Sequence, residues 1–160
     1  MFVTGCHRSG TSLITALLID FIGLDESDRG TLLETKLENP IGFFETERLT
    51  TANDQLLSEI GARWDLPPLV ASGWRTPSSF EHLTKLRSVF GSYALSDKWI
   101  DKDPRLCLTY QAYMHILLKR VPLVAVIRNP LDVATSLYAR NGFPLAKGLL
   151  IWYLYNHNLS

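Results

Sequence analysis

A short loop near the start of the chain has the composition of an anion-binding loop. Residues 5–12 read Gly-Cys-His-Arg-Ser-Gly-Thr-Ser and separate a β-prone stub from an apolar run. Glycines let a backbone turn sharply beside an anion, and the loop N–H groups then point inward in front of a helix N-terminus. The spacing of Gly5 and Gly10 matches a P-loop, but Thr11 stands where a Walker A motif requires Lys. The cation lies inside the loop, at Arg8, which predicts a phosphate loop that is not built for ATP.

A second polar cluster follows an apolar run late in the chain. Residues 126–136 read Val-Ile-Arg-Asn-Pro-Leu-Asp-Val-Ala-Thr-Ser, which places Arg128 at a strand end and Ser136 on the next helix. The forked guanidinium suits a phosphate, and the Ser136 hydroxyl can add a hydrogen bond to it. The alternative is a strand-to-helix turn in which Asp132 assists the helix N-terminus and Arg128 is a surface charge.

The first loop also has an ordinary alternative, in which Ser9 or Thr11 caps the helix that follows.

Helix and strand signals alternate along the rest of the chain and predict three strands and six helices. The strands are placed at 2–4, 98–101 and 122–127, and the helices at 11–22, 45–60, 79–93, 106–120, 132–140 and 145–155. The run 122–127 is continuously apolar, which is typical of a strand buried on both faces of a parallel sheet. Lys119 and Arg120 are placed in the last turn of their helix, where cations are favourable.

This order of elements predicts an α/β fold, a three-layer αβα arrangement of the P-loop NTPase-like type with a central parallel sheet. Ligands of such sheets bind at the carboxyl ends of the strands. Polar clusters follow all three predicted strands, at residues 5–12, 102–105 and 128–130. We therefore expect these three clusters to meet around one cleft.

Composition narrows the classes of function. Sixteen basic residues balance sixteen acidic ones, which gives no indication of a nucleic-acid partner or a membrane surface. No apolar run has the roughly 18 residues of a membrane span. The two cysteines have no metal-ligand spacing, and reduced thiols in a cytoplasmic protein are the default interpretation. The length of 160 residues indicates a single domain.

The two motifs together resemble those of sulfotransferases that use 3′-phosphoadenosine 5′-phosphosulfate (PAPS), with bacterial-type members the most similar. The resemblance covers most of the chain. It implies that the 5′-phosphosulfate lies in the first loop, which comprises Gly5, Cys6, His7, Arg8, Ser9, Gly10, Thr11 and Ser12. It also implies that Arg128 and Ser136 hold the 3′-phosphate, that adenosine 3′,5′-bisphosphate is the product, and that no metal is required. The acceptor would be a small molecule, carbohydrate or lipid, which the sequence does not identify.

The resemblance also suggests catalytic residues. Arg8 is the candidate for stabilising charge on the transferred group, and Lys102 matches a family Lys that bridges to the sulfuryl oxygens. The His that follows this Lys in cytosolic members is replaced here by Asp103. The segment 39–45, Asn-Pro-Ile-Gly-Phe-Phe-Glu, resembles one in bacterial relatives and makes Glu45 the first choice for the general base. Glu38 and Asp103 are the alternatives, and His7 is either a cofactor contact or a structural residue.

Sulfotransferases continue well past the second motif, whereas this chain ends soon after the helix at 145–155. The resemblance therefore implies that residues 1–160 form a single sulfotransferase-like domain that is incomplete at its C-terminal end. A truncated or degenerate nucleotide-binding module without turnover is the alternative function. A kinase or NTPase ranks third, because the Walker Lys is replaced and the apolar strand 122–127 leads to a cation instead of a Walker B acid.

Overall fold

A small parallel sheet lies at the centre of the fold. The computed structural model describes residues 1–22, 44–71, 77–95 and 99–159. The strands are β1 (Phe2–Thr4), β2 (Asp101–Lys102) and β3 (Leu123–Ala125), in the order β2-β1-β3. Both neighbours run parallel to β1, with Phe2 opposite Asp101 on one side and Leu123 on the other. The expected α/β class with a parallel sheet is confirmed.

Seven helices surround this sheet in the described ranges. They are α1 (Thr11–Ile22), α2 (Glu47–Glu59), α3 (Pro77–Val89), α4 (Gly91–Leu95), α5 (Leu106–Leu117), α6 (Pro130–Asn141) and α7 (Leu145–His157). Most lie within a few residues of the predicted positions. The helix predicted over 79–93 is divided at Phe90 into α3 and α4. The connection predicted over 25–44 lies outside the described residues except for its last position.

Helices pack against both faces of the sheet because side chains alternate along a strand. Val3 lies in a small cluster with Ile19 of α1. Its neighbour Phe2 belongs to the larger cluster formed by α2 to α7, where Tyr113 of α5 makes an edge-to-face ring contact with it. The short central strand therefore joins the two halves of the core, and its carboxyl end is held between them.

Three further details of the prediction are wrong. The strand expected over 98–101 is observed at Asp101–Lys102, and Trp99 and Ile100 precede it without strand structure. Helix α5 ends at Leu117 because Leu118 adopts a left-handed conformation (φ 54°), so Lys119 and Arg120 follow the helix and do not lie in its last turn. The strand β3 is partly exposed, and it is not buried on both faces as its apolar sequence predicts. Leu123 packs against the larger cluster and Val124 against the smaller one, but both are only partly covered there, and Ala125 is exposed. In the described ranges, no helix is both long and apolar enough to cross a membrane.

Candidate functional site

The loop between β1 and α1 is shaped by its two glycines. A Cβ atom built at Gly5 would lie 2.3 Å from the carbonyl oxygen of Val126, so only glycine fits there. Gly10 has φ +89°, and its carbonyl accepts a hydrogen bond from the N–H of Ile14 at the start of α1. Between them the N–H of Ser9 donates to the carbonyl of Cys6 at 3.0 Å. The result is a tight turn immediately before a helix N-terminus, which is a favourable place for an anion.

The side chains of this loop lie in different surroundings. Arg8 has a left-handed backbone (φ 70°) and is half-buried, as is Ser12 at the start of α1. Thr11 is buried, and the Cys6 side chain is fully buried in the core. Burial raises the pKa of the Cys6 thiol well above its ordinary value. The Cys6 side chain therefore offers no group to a ligand, although the sequence analysis placed Cys6 among the cofactor-binding residues.

The second motif is brought to this loop by the β3–α6 connection. The N–H of Val126 donates to the carbonyl of Thr4 at 2.8 Å, which extends the contact between β3 and β1. Asn129 caps α6 by accepting from the N–H of Leu131 at 2.9 Å, and Pro130 fixes the first helical residue. Helix α6 therefore begins beside the loop, with Arg128 just before it.

Three of the predicted site residues contact one another there. The Arg8 Nε donates to the Ser136 Oγ at 2.7 Å, and the Arg128 Nη1 donates to the Arg8 carbonyl at 3.2 Å. The Arg128 side chain is 46% exposed and also lies 3.5 Å from an Asp132 carboxylate oxygen. A screened pair of this kind holds its partners weakly. The two guanidinium groups thus line the mouth of the glycine loop, and Arg128 is free to turn toward a ligand.

The residues fit an oxyanion at the loop. Among the described residues, eight buried side-chain atoms have no hydrogen-bond partner, and two of them, the Ser9 hydroxyl and the His7 Nε2, lie in this loop. Buried polar atoms nearly always have partners, so these two leave room for a hydrogen-bonding group at the loop. An oxyanion held by the loop would supply the acceptor that the Ser9 hydroxyl lacks.

His7 is packed as a neutral residue. Its ring centroid lies 4.6 Å from that of Trp64 and 5.6 Å from that of Tyr155. Burial, together with the nearby cations Arg105 and Arg140, holds the pKa of His7 well below its ordinary value of 6.5. The ring therefore joins the loop to α7 and to the residues after α2, which supports the structural role among the two expected for it.

The packing of His7 predicts an acid-sensitive stability. The pKa of His7 is lower in the folded chain than in the unfolded chain, so the contribution of the neutral ring to the free energy of unfolding is complete above pH 6.5. That contribution decreases as the pH falls below this value. In that range the wild type should lose about 1.4 kcal/mol more per pH unit than His7→Gln. Urea unfolding at several pH values between neutral and mildly acidic measures this difference in slope. Parallel curves for the two proteins would contradict it.

The third cluster lies at the end of β2, next to the end of β1. The Thr4 Oγ1 donates to the Asp103 carbonyl at 3.0 Å, and the Asp103 N–H donates to the Val3 carbonyl at 3.3 Å. The Asp103 carboxylate is fully buried and accepts from the backbone N–H of Arg105 at 2.7 Å and from its guanidinium at 3.2 Å. The structure thus places all three polar clusters at the carboxyl edge of the sheet.

Two of the predicted catalytic residues form a buried ion pair at this edge. The Lys102 Nζ lies 2.6 Å from the Glu45 Oε1, and their side chains are only 2% and 10% exposed. Burial raises the pKa of Glu45 above its ordinary value, and the Lys102 ammonium opposes that rise. A carboxylate with a raised pKa beside a cation is suited to accepting a proton. Of the alternative bases, Asp103 is held by Arg105, and Glu38 lies outside the described residues.

The sequence analysis did not identify the hydrogen-bonded residues that neighbour this pair. Thr46 is the N-cap of α2, and its Oγ1 donates to the Asp101 Oδ2 at 2.8 Å. The Tyr93 hydroxyl donates to the same carboxylate oxygen. A Thr just before an acidic residue at a helix start is an N-cap signal, so Thr46 was identifiable from the sequence. The role of Asp101 has no signal in the local sequence.

Comparison with known proteins adds no family to this geometry. No protein-family model, no curated protein and no solved structure matches the chain. The assignment of a function therefore depends on the residues of the site.

Proposed function

We propose that this chain transfers a sulfuryl group from PAPS to a hydroxyl or amine of an acceptor, by in-line displacement with general-base assistance. PAPS, when bound, supplies the activated sulfuryl group. The observation that carries the proposal is the contact of Arg8 with Ser136 and of Arg128 with the Arg8 carbonyl at the mouth of the glycine loop. On the same grounds we assign the sheet and its loop to the P-loop NTPase-like class.

The first loop would hold the 5′-phosphosulfate. Its tight turn and the start of α1 offer backbone N–H groups, and the buried Ser9 hydroxyl offers a donor without an acceptor. Arg8 adds a forked cation at the same place. Fixed donors and charges of this kind stabilise the negative charge that develops on leaving oxygens.

The second motif would hold the 3′-phosphate. The Arg128 guanidinium is half-exposed, so it can bind an anion without losing a buried partner. Ser136 lies about two helical turns after Asn129 and presents its hydroxyl to the Arg8 Nε. Two groups that suit a phosphate, one just before α6 and one within it, thus lie beside the loop, which supports recognition of a nucleoside bisphosphate.

Glu45 and Lys102 would serve the reacting groups. Glu45 would accept the proton of the acceptor, and Lys102 would stabilise negative charge on the transferred group. The Lys102 ammonium lies 2.6 Å from the Glu45 carboxylate and favours its charged form until an acceptor and a donor occupy the site. The acceptor is an unidentified small molecule, carbohydrate or lipid.

The test is calorimetry in EDTA with adenosine 3′,5′-bisphosphate and with ADP. We expect tighter binding of the bisphosphate, and a loss of about tenfold to a hundredfold in Arg128→Ala, because a hydrogen bond to a charged group contributes about 1.5–3 kcal/mol. Arg120→Ala is the matched control, because Arg120 is an exposed arginine that precedes β3 and lies away from the carboxyl edge.

Equal binding of the two nucleotides, or tighter binding of ADP, would overturn the PAPS proposal. A folded sample that binds neither would favour the alternative, a degenerate module without turnover. Equal losses in Arg128→Ala and Arg120→Ala would remove Arg128 from the site.

A further inference from the structure

Two neighbouring residues before α2 each form a hydrogen bond with one of the two residues of β2. Glu45 contacts Lys102 at 2.6 Å, and Thr46 donates to Asp101 at 2.8 Å. The first pair of neighbours, residues 45–46, precedes α2, and the second, residues 101–102, forms β2. The helix start and the strand are therefore connected twice, once by candidate catalytic side chains and once by side chains with no proposed chemical role.

We propose that Thr46 and Asp101 are positioning residues that set the Glu45 carboxylate against the Lys102 ammonium. This inference rests on the proposed function for its catalytic consequence. The contacts from which it is argued do not depend on that function.

The Asp101 carboxylate is held on both oxygens. Its Oδ2 accepts from the Thr46 and Tyr93 hydroxyls, and its Oδ1 accepts from the Lys102 N–H at 2.9 Å. The side chain is almost completely buried, so these bonds are not exchanged for water. A buried acceptor that is satisfied on both oxygens has a single favourable orientation, and it gives that orientation to its partners.

Thr46 transmits this orientation to α2. Its hydroxyl has one proton, which it gives to Asp101, and it accepts the N–H of Leu49 at 3.4 Å as the N-cap of the helix. The backbone around Thr46 is thereby fixed at one point on β2. Glu45 immediately precedes that point, so its carboxylate reaches Lys102 from a defined place.

The other end of the network is fixed by aromatic packing. The Tyr93 ring stacks on Trp99 with centroids 4.1 Å apart, and the Arg48 guanidinium donates to the Tyr93 hydroxyl at 2.6 Å. Arg48 belongs to the first turn of α2, so a second side chain of the same helix reaches Asp101 through Tyr93. Asp101 therefore holds the first turn of α2 directly and indirectly.

The test compares Thr46→Val, which removes the hydroxyl, with Thr46→Ser, which retains it. Thr109→Val is the matched control, because Thr109 is also buried and bonds to α2, at the Asn53 Oδ1, but away from the helix start. One readout is the side-chain ammonium resonance of Lys102 in ¹⁵N spectra, assigned with Lys102→Arg. The other is the release of adenosine 3′,5′-bisphosphate from PAPS in water, with nucleotide affinity measured alongside.

We expect Thr46→Val to shift or broaden the Lys102 resonance and to slow turnover about tenfold or more, since small displacements of reacting groups have large kinetic effects. Nucleotide affinity should remain within about twofold, because the phosphate contacts lie on other elements. Thr46→Ser and Thr109→Val should keep the wild-type resonance.

The inference is overturned if Thr46→Val keeps the wild-type resonance, or if Thr109→Val changes it equally. A wild-type protein that neither binds nor turns over PAPS overturns the proposed function instead. In that case the Lys102 resonance still reports whether Thr46 and Asp101 position the pair.

Discussion

Gly5→Ala should lower the free energy of unfolding by at least about 3 kcal/mol, because it combines overpacking with backbone strain. The added Cβ would lie 2.3 Å from the Val126 carbonyl oxygen and 3.1 Å from the Thr11 Cγ2. The first of these is a backbone atom next to the N–H that bonds to Thr4, so the β1–β3 contact must separate to make room. Urea unfolding measures the loss.

Gly61→Ala is the matched control for this prediction. Gly61 also has a positive φ, at 67°, but a Cβ there would have nothing within 4 Å. This variant isolates the backbone strain, which costs about 1–2 kcal/mol for a residue with a side chain. Equal losses of stability in the two variants would mean that the contact between β1 and β3 accommodates the extra Cβ atom. Close packing of Gly5 against the Val126 carbonyl would then not be required.

The parts of the fold that were predictable are those with a local signal. Helix α6 was expected over 132–140 and spans Pro130–Asn141, since it begins after an Asn cap followed by Pro and ends before Gly142, which has φ 69°. Each of these residue types favours its position for a reason within a few residues of chain. The glycine loop belongs to the same class, because its backbone geometry requires residues that lack a side chain.

The parts that were not predictable depend on the rest of the molecule. The end of α5 falls at Leu118, a residue with no intrinsic preference for its left-handed conformation. Exposure of β3 depends on how far the two core clusters cover its faces, which its apolar sequence does not encode. Glu45 and Lys102 were singled out separately by resemblance, but their contact joins residues 57 positions apart and is a property of the tertiary structure.

That contact gives the second large prediction. Removing one partner of a buried ion pair leaves an uncompensated charge, which costs about 3–5 kcal/mol. The Lys102 and Glu45 side chains are 2% and 10% exposed, so Glu45→Gln leaves an ammonium and Lys102→Met leaves a carboxylate with little access to water. We therefore expect each single variant to be strongly destabilised in urea unfolding at neutral pH.

The double variant Glu45→Gln/Lys102→Met separates the pair from its surroundings. It leaves no buried charge at either position, so its loss of stability should be smaller than the sum of the two single losses by about 0.5–3 kcal/mol, the coupling typical of residues in contact. Losses that simply add would contradict a direct buried contact.

The double variant should also separate folding from chemistry. It keeps Arg8 and Arg128, so it should bind adenosine 3′,5′-bisphosphate while releasing none from PAPS. Turnover by this variant would exclude Glu45 and Lys102 from the reaction, even if the ion pair itself is real.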